Sequence, residues 1–291
     1  MNRKVVDYKI ETKLVPSPVK YSVLCPKDYD TSNKTYPLAF ALHGGGGYMG
    51  YLRSQIKPVI IDMWNRQLLP EMVFVTPHCD RSFYIDYKDG SQKWETFITS
   101  ELLPHLREQF RVATGPNNTF LTGISMGGMG TLRLGLKHLD IFGVLVAFEP
   151  AIEPAFEWKD VKTRDSRYRG KKIYKEKFGN PIDEEYWKLN NPIYIARENA
   201  KEIKDSGIKI YLEVGTEDML GLFRGTEFLH RVLFDNKIPH EFRYVFGADH
   251  IGPSLKQRFY SGYSFLNQMI TDPYPDGAMK KRLEKVVQKK E

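Results

Sequence analysis

The sequence predicts an α/β fold, with a mostly parallel central sheet flanked by helices. Short, uninterrupted apolar runs recur along the 291 residues, and stretches with apolar residues at helical spacing lie between them. Strands buried on both faces of a parallel sheet read as continuous apolar runs. Their regular alternation with helices implies crossover units in one sheet. With 41% hydrophobic and 27% charged residues, the composition is that of a globular chain. The length fits one domain over residues 1–291.

Residues 5–12 (VVDYKIET) and 20–26 (KYSVLCP) are candidate outer strands. A turn at Asp30–Lys34 leads to the apolar run 37–42 (PLAFAL), which ends at His43 and four glycines, Gly44 to Gly47. Residues 58–67 read as a helix opening with Pro58, whose missing N–H suits a first turn. The run 72–77 (MVFVTP) follows. In 94–110, Trp94, Phe97, Ile98, Leu102, Leu106 and Phe110 recur at helical spacing, and Pro104 predicts a kink. The runs 118–122 and 143–148 bracket a helix over 126–139. Two more runs, 208–214 and 241–246, alternate with helices at 225–235 and 254–270.

Residues 149–200 interrupt this rhythm with Glu, Lys, Arg, Trp and Pro. They follow a strand and read as a lid-like insertion at the carboxyl edge of the sheet, where α/β ligand sites form. The tail 278–291 carries six basic and two acidic residues, but Leu283, Val286 and Val287 make a helical stripe. It reads as a docked helix with a solvated basic face.

The net charge of +7 is spread along the chain and points to no nucleic-acid partner. No stretch approaches the ~18 apolar residues of a membrane span. The N-terminus, MNRKVVDYKIETKLVPSP, has charges too frequent for an apolar signal core. Cys25 and Cys79 read as ordinary thiols rather than a disulfide framework. A cytoplasmic location is expected.

Gly123-Ile124-Ser125-Met126-Gly127 fits G-x-S-x-G between a predicted strand and a predicted helix. A serine hydroxyl is a weak nucleophile until a base takes its proton. A tight strand-to-helix turn would expose Ser125 above the sheet, with backbone N–H groups of the helix start aimed at developing negative charge. The four-glycine run matches an oxyanion loop: Gly45, or else Gly44, would supply one N–H and Met126 the other. His43 precedes the nucleophile and reads as a loop organiser.

In α/β-hydrolases the order is nucleophile, acid, histidine. Downstream of Ser125 stand His138, His230, His240 and His250, and only His250 follows a strand on a loop. The acid belongs on the loop after IYLEVG. Asp218 is the choice there, with Glu217 the alternative and Asp249 a weaker one because adjacent side chains diverge. His78-Cys79-Asp80 lacks the spacing of metal ligands, so neither metal nor cofactor is expected.

On these residues the chain resembles the putative-esterase family of α/β-hydrolases, from about Val23 to about Phe265. That family includes esterase D, feruloyl and tributyrin esterases and mycolyltransferases. The carrying segments are LHGGGG at 42–47, SFYIDY at 82–87, WETFITSELLPHL at 94–106, GISMGG at 123–128, NPIDEEYWKLNNP at 180–192, VGTEDML at 214–220 and GADH at 247–250. The resemblance implies Ser125 as nucleophile, Asp218 as acid, His250 as base, and oxyanion donors at Met126 and the glycine loop. Ile251, Gly252 and Pro253 follow His250, where esterase D members place an aromatic. The expected activity is hydrolysis of small acyl or aryl esters, including carbohydrate-linked ones. A thioesterase or acyltransferase using the same triad is the alternative, and a non-catalytic binding protein is a third reading.

Aromatics near both ends of this machinery suggest a pocket. Phe83, Tyr84, Tyr87 and Trp94 follow a strand end; Phe156, Trp158 and Trp187 lie in the insertion. Tyr84 is the first pocket candidate and Trp158 the second, with Phe83 and Trp187 beside them. The expected partner is a small-molecule ester.

Overall fold

The computed structural model describes residues 3–166, 168–271, 277, 281, 282, 284 and 285. The tail stripe Leu283, Val286 and Val287 lies outside the described residues.

Among the described residues, eight strands form one sheet: β1 (Val5–Ile10), β2 (Val19–Leu24), β3 (Leu38–Leu42), β4 (Val73–Pro77), β5 (Thr119–Ile124), β6 (Val144–Phe148), β7 (Lys209–Gly215) and β8 (Glu241–Val245). Their spatial order is β1-β2-β4-β3-β5-β6-β7-β8. The two pairs involving β2 are antiparallel and all others are parallel. Each run read from the sequence is a strand, with ends shifted by a residue or two.

Period-two alternation explains why the inner runs are apolar throughout. Leu38, Phe40, Leu42, Leu121, Leu145 and Leu212 point into one core, while Ala39, Ala41, Phe120, Val144, Val146 and Tyr211 point into the other. The outermost strands differ. β1 and β8 expose most of their residues, as edge strands covered on one side only. The run at 241–246 is therefore not a doubly buried strand.

Helices α1 (Lys57–Asn65), α2 (Leu103–Gln109), α3 (Met126–Lys137) and α4 (Phe223–Asp235) lie between strands, and α5 (Leu255–Ile270) follows β8. The segment before α2 is helical over Trp94–Thr96 and then π-helical over Phe97–Leu102. Pro104 is the second residue of α2, which runs on directly from this π-helical segment. The irregularity thus sits in the π segment ahead of the proline.

Between β6 and β7, residues 149–200 hold short helices at Thr163–Ser166, Gly170–Phe178, Glu184–Lys188 and Pro192–Glu198. Pro192–Glu198 packs against α3 and α4. Asn191 caps it, its side chain accepting from the Ile193 N–H.

The chain crosses from β4 over β3 to β5, so winding changes direction beside β3. Crevices at the carboxyl ends of strands form at such points. Here the end of β3 carries the glycine loop, and the end of β5 carries Ser125.

Candidate active site

Ser125 occupies the turn between β5 and α3 with φ +58° and ψ −115°, a backbone state that non-glycine residues avoid. Its N–H donates to the Phe148 carbonyl, and its own carbonyl accepts from Met129 and Ala151. These contacts hold the turn in its strained form. The flanking glycines are required by close approach. A Cβ on Gly127 would lie 2.1 Å from the Leu42 oxygen, and one on Gly123 would lie 2.3 Å from the Gly127 oxygen. The G-x-S-x-G spacing thus lets α3 start against β3.

The glycine loop faces this turn. A Cβ placed on Gly44 would be 3.5 Å from Ser125 Cβ, and one on Gly45 would be 3.9 Å from Met126 Cβ. Met126 opens α3, so its N–H is among those without an intrahelical acceptor. His43 anchors the loop from below. Its ring is fully buried, Nδ1 donates to the Gly44 carbonyl at 2.8 Å, and Nε2 accepts the Cys79 N–H at 3.1 Å. That pairing needs a neutral ring, and burial pushes the pKa of His43 down to about 4.

Beyond β7, Asp218 is buried and its Oδ2 lies 2.8 Å from His250 Nδ1. Its Oδ1 accepts the N–H of Leu220 at 2.8 Å and that of Leu222 at 3.4 Å. The carboxylate therefore faces Nδ1–H, leaving Nε2 as the lone-pair nitrogen of His250. Glu217 is exposed, and Asp249 Oδ1 accepts the His250 main-chain N–H rather than a ring proton.

Ser125, Met126, Gly44, Gly45 and His250 all line one cavity of about 620 Å³, within the size range of small-molecule sites. Glu149, Asp218 and His250 each bring an oxygen or nitrogen within 4.8 Å of the others. Arg258 donates to Glu149, so a guanidinium already supplies the positive charge there.

The chain matches the putative-esterase family over residues 12–258. It belongs to that family. It is 30% identical over 205 residues to an acetyl esterase of Caldicellulosiruptor saccharolyticus, covering 67% of this chain and 70% of that protein. An esterase of Mycobacterium tuberculosis is 29% identical over 151 residues, 46% of this chain. The match spans 30% of the length of that mycobacterial relative. Among solved structures, a ferulic acid esterase superposes with a TM-score of 0.74 at 21% identity, covering 92% of this chain and 100% of that one. The fold is that of the α/β-hydrolases.

Of the aromatics named from the sequence as pocket candidates, Phe83 reaches the cavity. Tyr84 does not line it. Tyr84 is fully buried beneath the loop, its hydroxyl donating to the His43 carbonyl, and a Cβ on Gly130 would meet its ring at 2.5 Å. Trp158 and Trp187 are not on the wall either. They pack on each other with centroids 5.7 Å apart, and Trp158 also lies 4.9 Å from Tyr174. Phe156 packs on Phe228, Trp94 is buried beside Phe97, and Tyr87 receives Lys177. From the insertion, Ala151 and Tyr168 reach the cavity.

Sequence reading missed Tyr48, Tyr51, Arg81 and Tyr168 as wall residues. Tyr48 and Tyr51 carried a usable signal, since Tyr48 directly follows the glycine loop and Tyr51 comes three residues later. Arg81 did not. It reaches the wall because its guanidinium donates to the Tyr168 carbonyl at 2.6 Å.

The remaining histidines are engaged elsewhere. His138 meets Glu95 at 2.8 Å, and His230 pairs with His240. Burial would raise the Glu95 pKa, but Arg133, His138 and Lys137 override it and hold the carboxyl far below its usual range. Arg133 stands on α3 and also donates to the Tyr84 carbonyl, so this network braces the nucleophile helix against the segment 83–95. His78 and Asp80 pair with each other, while Cys79 is buried and unbridged. Among the described residues, no helix is long and apolar enough to cross a membrane.

Proposed function

We propose that this protein is a serine carboxylic-ester hydrolase acting on small acyl or aryl esters, including carbohydrate-linked ones. The observation that carries the reading is the convergence of Ser125, the Asp218–His250 pair and the glycine loop on one cavity. Family membership and the acetyl esterase relative support it.

His250 Nε2 takes the Ser125 proton as Oγ attacks the ester carbonyl. Asp218 holds the ring tautomer and stabilises the imidazolium. The N–H groups of Met126 and of Gly45 or Gly44 receive the oxyanion. The intermediate collapses, the alkoxide leaves with the proton from His250, and a serine ester remains. Water, deprotonated by His250, then attacks that ester; its collapse releases the acid and returns the proton to Ser125. Phe83, Tyr48, Tyr51 and Tyr168 give the cavity aromatic walls, which suit a planar or apolar ester group.

The test is Ser125→Ala with a fluorophosphonate probe. Labelling at Ser125 and loss of nitrophenyl ester hydrolysis in a folded variant are expected. Activity persisting in Ser125→Ala, or labelling at another serine, overturns the reading. Product transferred to added alcohol acceptors would mark acyl transfer with the same triad.

A further inference from the structure

Behind His250 lies a second buried carboxylate that the proposed reaction does not use. Glu149 stands just past β6, directly before Pro150, with φ +46°. Non-glycine residues rarely hold such a backbone, and its retention needs over-determining contacts. Those contacts are present. The Glu149 N–H donates to the Glu213 carbonyl, and Glu149 Oε1 accepts from the Gly215 N–H at 3.1 Å. Arg258, on α5, donates Nη1 to the same Oε1. Its Nη2 donates to the carbonyls of Asp249 at 2.7 Å and His250 at 3.3 Å. One ion pair therefore ties together the ends of β6 and β7, the histidine loop and α5.

We propose that Glu149 and Arg258 form a positioning pair, fixing the His250 main chain and cancelling each other's charge beside its ring. This rests on His250 being the base. A Glu149 oxygen lies within 4.8 Å of a His250 ring nitrogen. An uncompensated carboxylate there would favour imidazolium, and an uncompensated guanidinium would oppose it. Other groups face His250 as well. Asp218 comes from the loop after β7, Asp249 binds its main-chain N–H, and Arg81 lines the same cavity. Glu213, on β7, stands behind Arg258 at 3.8 Å. The Glu149–Arg258 pair keeps this set balanced so that His250 can be neutral when Ser125 reacts.

Charge-separating variants test this through the pH profile of kcat/KM for nitrophenyl acetate. Glu149→Gln keeps the acceptor for Gly215 and removes the carboxylate that Arg258 Nη1 donates to, with Glu213 at 3.8 Å left as the remaining carboxylate beside the guanidinium. Its acid limb is expected to move down by roughly 0.5–1 pH unit. Arg258→Met leaves the carboxylate unbalanced, and its limb is expected to move up by a similar amount. The double variant is expected to return the limb to its wild-type place. Arg258→Lys keeps the charge but loses the forked contact to the two carbonyls. Its limb is expected to stay in place while kcat falls about tenfold and KM holds. If Arg258→Met does not fold, Glu149→Gln and Arg258→Lys decide. A folded Glu149→Gln whose limb is unmoved overturns the proposal, and so does any shift upward. His250→Ala separates the two failures. An active His250→Ala removes the base reading and this proposal with it. An inactive one, beside an unmoved Glu149→Gln limb, removes the positioning pair alone.

Discussion

The Tyr84 hydroxyl donates to the carbonyl of His43 across 2.9 Å, so a buried side chain from the segment after β4 supports the loop after β3. Tyr84 has φ +58°, and its ring fills the space that a side chain at Gly130 would need. Tyr84→Phe keeps the ring and removes the donor, leaving a buried carbonyl unpaired. Stability should fall by about 1–3 kcal/mol. If the loop loosens as well, kcat for nitrophenyl acetate falls with little change in KM. Chemical denaturation and steady-state rates measure the two effects.

The choice of acid is testable by a pair of isosteric variants. Asp218→Asn presents an amide to His250 Nδ1 and should lower kcat by roughly 10³ or more. Glu217→Gln, on an exposed neighbour, should leave kcat near wild type. A crippled Glu217→Gln beside an active Asp218→Asn would move the acid by one residue.

His43 makes stability depend on pH. Its folded pKa, about 4, lies below the usual value of 6.5, because burial disfavours the charged ring. Between those values the unfolded chain binds the extra proton. The contribution is therefore complete above pH ~6.5 and shrinks as pH falls toward ~4. Urea midpoints should drop more steeply from pH 7 to 5 in wild type than in His43→Asn, which cannot titrate. Parallel slopes would remove His43 as the cause.

Two aromatic substitutions separate wall from scaffold. Phe83→Ala should raise KM for aryl esters more than for acetyl esters, because Phe83 lines the cavity. Trp158→Ala should lower thermal stability and keep the ester preference, because Trp158 packs on Tyr174 and Trp187. A change of preference in Trp158→Ala and none in Phe83→Ala would place the binding surface under the insertion instead.

Local patterns in the sequence determined the strands, the helices and the elbow at Ser125. A continuous apolar run is what a doubly covered strand demands, and Gly123 and Gly127 are what close backbone contact demands. Chain order and strand ends pointed to His250 and to Asp218 with Glu217 as the alternative, and the folded chain brings Asp218 to the His250 ring. Tertiary structure alone decided the cavity wall and what lies behind it. Phe83 and Tyr84 are neighbours with nearly equal φ values, yet one faces the cavity and the other the core. Neighbouring side chains diverge, and no periodicity exists in a turn to say which goes where. Arg258 and Glu149 meet across 109 residues because α5 and the end of β6 pack together. Such a contact follows from the folded path of the chain, and the spacing of residues along it carries no trace of the pair.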